Sequence, residues 1–226
     1  MNYSNLHIVI ALTCAILLSC RATTAQVIDH WGLKAGVSLA KQTEVDYGND
    51  NQLKSRAGAD LGLFFEWSEN SWFSINSEVE FVQKGRELDI PFTTEQFPNG
   101  TGQFSKESIR LNYISLVALA KAYIDLSAFE AYGSVGPRVD LLLSNSADVQ
   151  APEAYQANIL NRLQYELKYY KSAQLGSTLA VGFQTHSLLP FSSGVEVRYS
   201  PDFTHALEYP DVYTNQSWEF LLVFTF

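Results

Sequence analysis

Cysteine is nearly absent from this chain of 226 residues, which has only two, Cys14 and Cys20. Both lie in an N-terminal segment that we expect to be removed on export, so the mature chain is predicted to hold no thiol. A disulfide, a thiol nucleophile and a thiolate metal site are thereby excluded from the mature form. An exported chain without disulfides needs another source of stability.

Positive charge and long apolar runs are also scarce. Lys and Arg number 15 against 24 Asp and Glu, and the net charge of -9 argues against nucleic-acid binding, because few side chains would neutralise phosphates. The mean hydropathy of -0.05 excludes a bundle of membrane-spanning helices. Aromatic residues, by contrast, make up 13% of the chain and favour β-structure.

The N-terminal segment has the pattern of a signal peptide. The apolar run at residues 8–18 has the length of a signal-peptide core and is too short to span a bilayer as a helix. Thr23 and Ala25 supply the small residues of a cleavage site before Gln26. We therefore predict a signal peptide at residues 1–25 and one domain at residues 26–226.

A lipoprotein signal is the alternative for this segment. The sequence Leu17-Leu18-Ser19-Cys20 resembles a lipoprotein box, in which Cys20 would be acylated. Residues 1–7 also lack the Lys or Arg that is usual at the start of a signal peptide. Both alternatives imply export.

Beyond the signal segment, apolar and polar residues alternate, which indicates half-buried β-strands. The predicted strands are residues 31–40, 56–67, 72–84, 108–121, 128–141, 171–186, 193–200 and 217–226. Their connections alternate between short and long, and short turns at one end with long loops at the other are typical of an outer-membrane barrel. We predict an all-β fold, an eight-stranded antiparallel up-and-down transmembrane β-barrel with both termini on the periplasmic side.

The charged residues of these strands share one face, opposite the apolar stripe. A charged side chain facing lipid at mid-bilayer costs about 2–4 kcal/mol, so this face is predicted to line the barrel interior. The predicted interior residues are Lys34, Asp60, Glu66, Glu78, Glu80, Lys84, Arg110, Glu130, Arg138, Asp140, Glu196, Arg198 and Glu219. Lys121 is the exception, and we expect it to snorkel to the interface from a strand end.

Tryptophan positions fit the same arrangement. Trp31, Trp67 and Trp72 fall at the predicted periplasmic boundary and Trp218 at the outer one. Such rings form the aromatic girdles of membrane barrels. The alternative is that they anchor the core of a soluble β-sandwich.

The last strand is predicted to close the barrel. Alternate residues from Trp218 to Phe226 would face lipid, while Glu219 would face the interior. Closure leaves no open sheet edge in the bilayer. The terminal Phe226 resembles the C-terminal aromatic residue that bacterial outer-membrane proteins present to the barrel-assembly machinery.

Four carboxylates, at Asp60, Glu78, Glu80 and Asp140, could suggest a metal site with histidines. Neither an HExxH motif nor an EF-hand spacing is present. Ionic filling of the barrel interior is the simpler explanation, with the basic partners Arg110, Arg138, Arg198 and Lys84.

Predicted interior acids outnumber bases eight to five, which makes a weak cation preference conceivable. We expect no open pore, because eight-stranded interiors are normally filled by side chains.

The sequence Thr185-His186-Ser187 is the cluster that could suggest an enzyme. Adjacent strand residues point to opposite faces, so His186 and Ser187 cannot form a catalytic dyad within a strand. We expect no enzymatic activity, no cofactor and no metal.

Residues 152–167, in the third long loop, are predicted to be partly helical. Pro152 suits the first helical position, and Tyr155, Ile159, Leu163 and Leu167 share one face. The segment is either a simple cap of the barrel or a surface for a partner.

Several stretches together resemble the PorT-like outer-membrane β-barrel family of the Bacteroidota. They are residues 32–41 (GLKAGVSLAK), 111–123 (LNYISLVALAKAY), 131–144 (AYGSVGPRVDLLLS), 175–184 (LGSTLAVGFQ), 195–203 (VEVRYSPDF) and the closing strand. The chain departs from the family at Val117, where relatives often carry Pro, and at Pro201-Asp202, where Gly is common. The family takes its name from a protein linked to gliding and type IX secretion. The resemblance implies a barrel in the outer membrane, and no catalytic or ligand residues can be carried over from the family to this chain.

The sequence therefore predicts a structural or interaction protein. Its expected partners are outer-membrane lipid, the barrel-assembly machinery and a protein at the long external loops. A narrow channel or transporter is the first alternative, and a lipid-active outer-membrane enzyme is the second.

Overall fold

A computed structural model describes residues 28–44, 53–70, 72–91, 104–127, 129–185, 191–207 and 212–226. The strands are β1 (His30–Glu44), β2 (Leu53–Asn70), β3 (Phe73–Pro91), β4 (Phe104–Asp125), β5 (Phe129–Gln150), β6 (Ala173–Thr185), β7 (Ser192–Pro201) and β8 (Tyr213–Thr225). Each strand pairs with the next in antiparallel fashion, and β8 pairs with β1 to close the barrel. The predicted eight-stranded antiparallel barrel is confirmed.

The two ends of the barrel differ in their connections. We call the end at which β1 begins and β8 ends the lower end, and the opposite end the upper end. At the lower end β4 and β5 join through a tight turn, where Ser127 has a φ of 69° and its N–H donates to Asp125 Oδ1 at 2.8 Å. At the upper end β5 and β6 are joined by a helix, α1 (Glu153–Leu167).

Helix α1 confirms the helical prediction for residues 152–167. Pro152 stands just before the first turn, at the N-cap, because its fixed φ suits the start of a helix and its missing N–H costs nothing there. Within the described residues, no helix is long and apolar enough to cross a membrane.

The outer face of the strands carries the apolar stripe. On β2, the side chains of Leu61 and Leu63 are 54% and 43% exposed, whereas Asp60, which directly precedes Leu61, is fully buried. The same alternation places Trp218, Phe220 and Leu222 of β8 outside and Glu219 inside. The predicted faces of the second and the closing strands are confirmed.

This apolar belt ends abruptly towards the upper end. Leu61, Phe81, Ile114 and Leu141 lie side by side across β2 to β5. One outward position higher, the residues are polar and bonded in a row: Gln83 Nε2 donates to Asn112 Oδ1 at 3.0 Å, and Asn112 Nδ2 donates to Ser144 Oγ at 2.9 Å. We call Gln83, Asn112 and Ser144 the polar row.

The belt has the height of a bilayer core. On β3 it extends from Phe73 at the lower end to Phe81 below the polar row. A strand segment of that length, tilted as in membrane barrels, rises about 20 Å, close to the ~25 Å apolar band of outer-membrane barrels. Trp31, Trp72 and Trp218 are all about half exposed near the two rims, as an aromatic girdle requires.

Candidate interaction surface and barrel interior

Three strands continue well beyond the polar row. A strand needs about 9–11 residues to cross a bilayer, yet β4 and β5 have 22 residues each and β3 has 19. The excess forms one sheet at the upper end, from residues 83–91, 104–112 and 144–150, with residues 53–55 of β2 along one side. We call this the projecting sheet, and it rises about 20 Å above the belt.

The outer surface of the projecting sheet is charged with both signs. Cross-strand pairing sets Lys54 beside Glu87, and Asp89 beside Lys106. Lys54 Nζ lies 2.6 Å from Asp89 Oδ2, and Arg110 lies 4.0 Å from Asp148. A cleft of about 380 Å³ runs among these side chains, lined by Lys54, Glu87, Asp89, Lys106, Glu107, Ser108, Asp148 and Gln150. The surface is polar, concave and balanced in charge.

Arg56 lies beneath this surface and is only 6% exposed. Burial, followed by the neighbouring Arg110 guanidinium, lowers the pKa of Arg56, while the carboxylates of Glu87 and Asp148 act in the opposite direction. A buried cation near exposed carboxylates stabilises negative charge at this part of the sheet.

The inner surface of the projecting sheet packs against α1. Ile109 and Leu111 of β4 and Leu163 of α1 are almost fully buried in one apolar cluster, with Ile159 packed against it. Ala206, Leu207 and Tyr213 join the cluster from the segment before β8 and from the start of that strand. This core closes the upper end of the barrel and holds the projecting sheet in place.

Two ion pairs fix α1 to the strands. Arg86 Nη2 donates to Glu166 Oε1 at 2.6 Å, and both side chains are nearly buried. Arg162 Nη2 bonds to both carboxylate oxygens of Glu107, at 2.6 and 2.5 Å. The Arg86 guanidinium also lies 4.2 Å from the centre of the Tyr213 ring, within cation–π distance.

Exposed tyrosines lie along α1, and Tyr155 is one of them, although the sequence predicted it to share a face with the buried Leu163. Tyr155 and Tyr165 are about half exposed, and the hydroxyl of Tyr169 donates to that of Tyr165 at 2.6 Å. Tyr is enriched in protein contact surfaces because one ring offers both apolar area and a hydroxyl.

Below the apolar cluster, the lower half of the interior is filled by an ionic network around Arg198. Its guanidinium bonds to Glu78 and Glu80 at 2.5 Å each, and also to Glu196. Lys34 Nζ lies 2.7 Å from Glu78 and 3.1 Å from Glu196. These side chains are almost entirely buried. They occupy the space that a pore would need.

A second network lies above it, around Lys84 and Arg138. Lys84 Nζ donates to Asp140 at 2.6 Å and to Asp202 at 3.3 Å. Arg138 lies 3.1 Å from Asp140, 4.0 Å from Glu219 and in direct hydrogen-bond contact with Asp202. The ionic filling predicted for Asp140, Lys84, Arg138 and the Arg198 group is therefore confirmed.

Asp60 is the interior carboxylate that stands apart. Neither of its oxygens has a hydrogen-bond partner among the described residues, although the side chain is fully buried. Among the described side chains, the two networks, the Lys121–Glu66 pair and Asp60 together comprise eight carboxylates (Asp60, Glu66, Glu78, Glu80, Asp140, Glu196, Asp202, Glu219) and five basic groups (Lys34, Lys84, Lys121, Arg138, Arg198).

Comparison with known families identifies this architecture. The sequence model of the family described as "Outer membrane protein beta-barrel domain" matches residues 25–208. The chain belongs to this family. Its location is the outer membrane, where the apolar belt faces lipid and the polar row marks one edge of that belt.

Solved structures give distant likenesses to this outer-membrane barrel. Neisserial surface protein A is 13% identical, with a TM-score of 0.43 over 86% of this chain and 95% of that one. Ail, the attachment invasion locus protein of Yersinia pestis, is 11% identical, with a TM-score of 0.39 over 87% and 98%. OprG from Pseudomonas aeruginosa is also 11% identical, with a TM-score of 0.39 over 87% and 95%. A comparison with curated protein sequences gives no match.

Two charges on β4 are not where the sequence predicted. Arg110 was expected inside, but its side chain is 43% exposed and reaches Asp148 on the projecting sheet. Lys121 was expected to snorkel outwards, but it is 4% exposed inside the barrel, 3.3 Å from Glu66 and over the Tyr132 ring. Arg110 can face outwards because β4 is long: the strand extends so far above the belt that the Arg110 side chain meets water rather than lipid.

The other predicted site residues can be placed as follows. Among the described side chains, no group of three or more His, Cys, Asp or Glu is arranged to hold a metal ion. Thr185 ends β6 and its hydroxyl donates to the carbonyl of Ser193 at 3.0 Å. His186 and Ser187, like residues 1–27 with the predicted cleavage site, lie outside the described residues.

Sequence reasoning did not find Arg86, Glu107 or Asp202, which are all buried and ion-paired. Arg86 and Glu107 lay in predicted loops, and Asp202 followed the predicted end of the seventh strand. Alternation continuing past a predicted strand end was the signal that could have indicated them.

Proposed function

We propose that this barrel is an interaction protein of the outer membrane, with the projecting sheet and α1 as its contact surface for a protein partner. The main support for this proposal is that three strands continue about 20 Å beyond the belt. A buried core and two ion pairs hold this extension in place. Crossing the membrane does not require that extra structure. Because long connections of outer-membrane barrels are external, the upper end faces the outside of the cell.

The chemistry of this surface suits a polar protein partner. The cleft between Lys54 and Asp148 offers both charge signs, and the adjacent helix offers exposed tyrosines. Complementary charges would set the orientation of the partner, while Tyr155 and Tyr165 would supply apolar contact area.

Site-specific photo-crosslinking in living cells tests this proposal. A photoreactive residue at Ser146, on the outer surface of the projecting sheet, should give a discrete protein adduct. The same residue at Val135, on the lipid-facing side of the same strand, should give none. Reversing the charge of the cleft with Lys106→Glu should reduce the Ser146 adduct several-fold without reducing the amount of folded barrel. Absence of any adduct at Ser146 and Gln150 would contradict the proposal.

A narrow cation channel is the second candidate. The excess of interior carboxylates and the unpartnered Asp60 favour it, whereas the filling of the interior by Arg198, Lys84 and the apolar cluster favours a closed barrel. Planar-bilayer recording separates the two. We expect no steady conductance, and a cation-selective current that falls in Asp60→Asn would support the channel.

We also propose that the chain is a PorT-like member of its family and has no enzymatic activity. The motifs at residues 32–41 and 195–203 support the first point, and the proposed link to secretion or gliding follows from that resemblance. Deleting the gene should leave the lipid A mass spectrum unchanged, whereas an altered acyl composition would indicate a lipid-active enzyme. A defect in protein secretion or gliding on deletion would support the link.

The barrel-assembly machinery is a further proposed partner, through β8 and Phe226. β8 exposes alternate apolar residues, and the exposed ring of Phe226 follows it, which supports recognition of this segment. Removing Phe226 should lower the amount of folded protein in the outer membrane more than it lowers stability in vitro. If the amount of folded protein and the stability in vitro fell equally, Phe226 would contribute to stability alone and not to recognition by the assembly machinery.

A further inference from the structure

An apolar groove of about 690 Å³ lies on the outer face of the barrel near the lower end. Phe129 of β5 forms one side, Leu222 and Phe224 of β8 form the other, and Phe183 and Val195 lie between them. This volume lies within the ~300–1,000 Å³ range of small-molecule sites.

The groove arises because small side chains lie between aromatic ones. Across the four strands, Phe129 pairs with Thr185, and Ser193 pairs with Phe224. Thr185 and Ser193 are themselves linked by the 3.0 Å hydrogen bond from the Thr185 hydroxyl to the Ser193 carbonyl. Two short polar residues therefore lie at the bottom of a gap between two phenyl rings, and this gap opens in the lipid-facing surface.

The backbones of β6 and β7 lie close together behind the groove. A Cβ atom built on Gly194, beneath the groove, would lie 2.3 Å from the carbonyl oxygen of Phe183, so a larger residue would force the backbones apart. Phe129 and Phe183 pack edge to face at 5.9 Å, which holds one wall in position. The groove is thus a fixed feature of the surface.

We propose that this groove binds one acyl chain of a phospholipid from the periplasmic leaflet. The groove opens on the belt, where Phe183, Val195 and Leu222 are each 52% exposed, and in the outer membrane that face is covered by lipid. It lies at the end with short turns, which is the periplasmic end in barrels of this class. Thr185 and Ser193 offer polar contacts near the level of the headgroup.

The proposed site recognises the acyl chain of the phospholipid rather than the charge of its headgroup. The described residues that line the groove carry no formal charge. Phosphatidylethanolamine and phosphatidylglycerol with the same acyl chains should therefore bind equally well.

Native mass spectrometry of the full mature chain in mild detergent, with added palmitoyl-oleoyl phosphatidylethanolamine, tests this inference. The wild type should retain one phospholipid under conditions that strip the others. Val195→Trp fills the groove and should lower the bound fraction at least fivefold. Val79→Trp adds the same ring to the belt on β3, at a residue with similar exposure of 47%, and should leave retention unchanged.

Folding of each variant is checked by its faster migration on gels when unheated. If Val195→Trp does not fold, Ser193→Phe blocks the groove from the neighbouring position and should give the same loss. Equal lipid retention in the wild type and in the blocked variant would overturn the inference, as would no retention in the wild type. A co-purifying protein that is lost on blocking would assign the groove to a protein instead, and so would also overturn it.

Discussion

Trp31 and Phe226 close the barrel at its lower end. The amide of Phe226 donates to the carbonyl of Trp31 at 2.8 Å, and the amide of Trp31 donates to the carbonyl of Phe226 at 3.4 Å. Their rings stack with centroids 4.9 Å apart and an angle of 25° between their planes. The first and last strands are thus joined by backbone and side chain at the point where the closed sheet would otherwise fray.

The stacking of these rings should be measurable as a coupling energy. In a double-mutant cycle of Trp31→Leu and Phe226→Leu, we expect a coupling of about 0.5–1.5 kcal/mol in the free energy of unfolding, measured with urea in lipid vesicles. A cycle of Trp31→Leu with Phe129→Leu, whose rings do not form such a pair, should be additive within about 0.5 kcal/mol. Additivity in the first cycle would mean that the rings contribute only independently.

Arg198 should be among the most costly interior residues to remove. Arg198→Met keeps much of the side-chain volume but leaves Glu80 without its described basic partner, and leaves Glu78 and Glu196 to share Lys34 alone. We expect a loss of about 3–5 kcal/mol in unfolding free energy, the usual cost of removing one partner from a buried ion pair. Lys54→Met breaks the exposed pair with Asp89 and should cost less than about 1 kcal/mol. Equal losses in the two variants would contradict the described networks.

Asp60 and Asp140 provide a matched comparison of two buried carboxylates. Asp140 accepts bonds from Lys84 and Ser115 at 2.6 Å each, so Asp140→Asn should cost about 3 kcal/mol or more. Asp60 has no such partner among the described residues, so Asp60→Asn should cost less than about 1 kcal/mol or stabilise the barrel. Urea unfolding of both variants measures the two losses in unfolding free energy. A larger loss for Asp60→Asn than for Asp140→Asn would show that Asp60 is paired.

Glu166 should control how firmly α1 is held. Glu166→Gln keeps the shape of the side chain but leaves the nearly buried Arg86 without its counter-charge. Amide exchange of α1 should then accelerate at least roughly tenfold, since ~1.4 kcal/mol of local stability corresponds to a factor of ten. Glu153→Gln, at the exposed first turn, should leave exchange of the rest of the helix unchanged. Unchanged exchange in Glu166→Gln would mean that the apolar contacts alone hold α1.

The sequence was sufficient where the part of a strand within the belt carries charges on one face only. On β2 and β3 every interior charge follows the same alternation, and the cost of placing any of them in lipid fixes the orientation. β4 is different because Arg110 and Lys121 lie on opposite faces, while Leu111, Tyr113 and Leu119 are buried and Leu116 is exposed. Because polar and apolar residues alternate only weakly on β4, the sequence alone did not show which face of this strand points inwards. The assignment also required the length of the strand.

The upper end was harder to predict than the belt. The pairing of β4 with β5 shifts between Asn112 and Tyr113, so that Leu143 and Ser144 are both exposed in succession. A bulge of this kind changes which alternate residues face inwards, and local sequence does not reveal it. The apolar side of α1 was visible from Ile159, Leu163 and Leu167, but its partners Ile109 and Leu207 come from strands and segments distant in sequence.

The lipid-facing position of Leu61 is the most direct test of the whole account. Leu61→Arg should lower the free energy of unfolding in bilayers by about 2–4 kcal/mol, because it places a charge in the apolar belt. Leu61→Ala serves as the control for lost side-chain volume and should cost clearly less. A cost for Leu61→Arg no greater than that for Leu61→Ala would show that this face meets water or protein, and would contradict the membrane barrel.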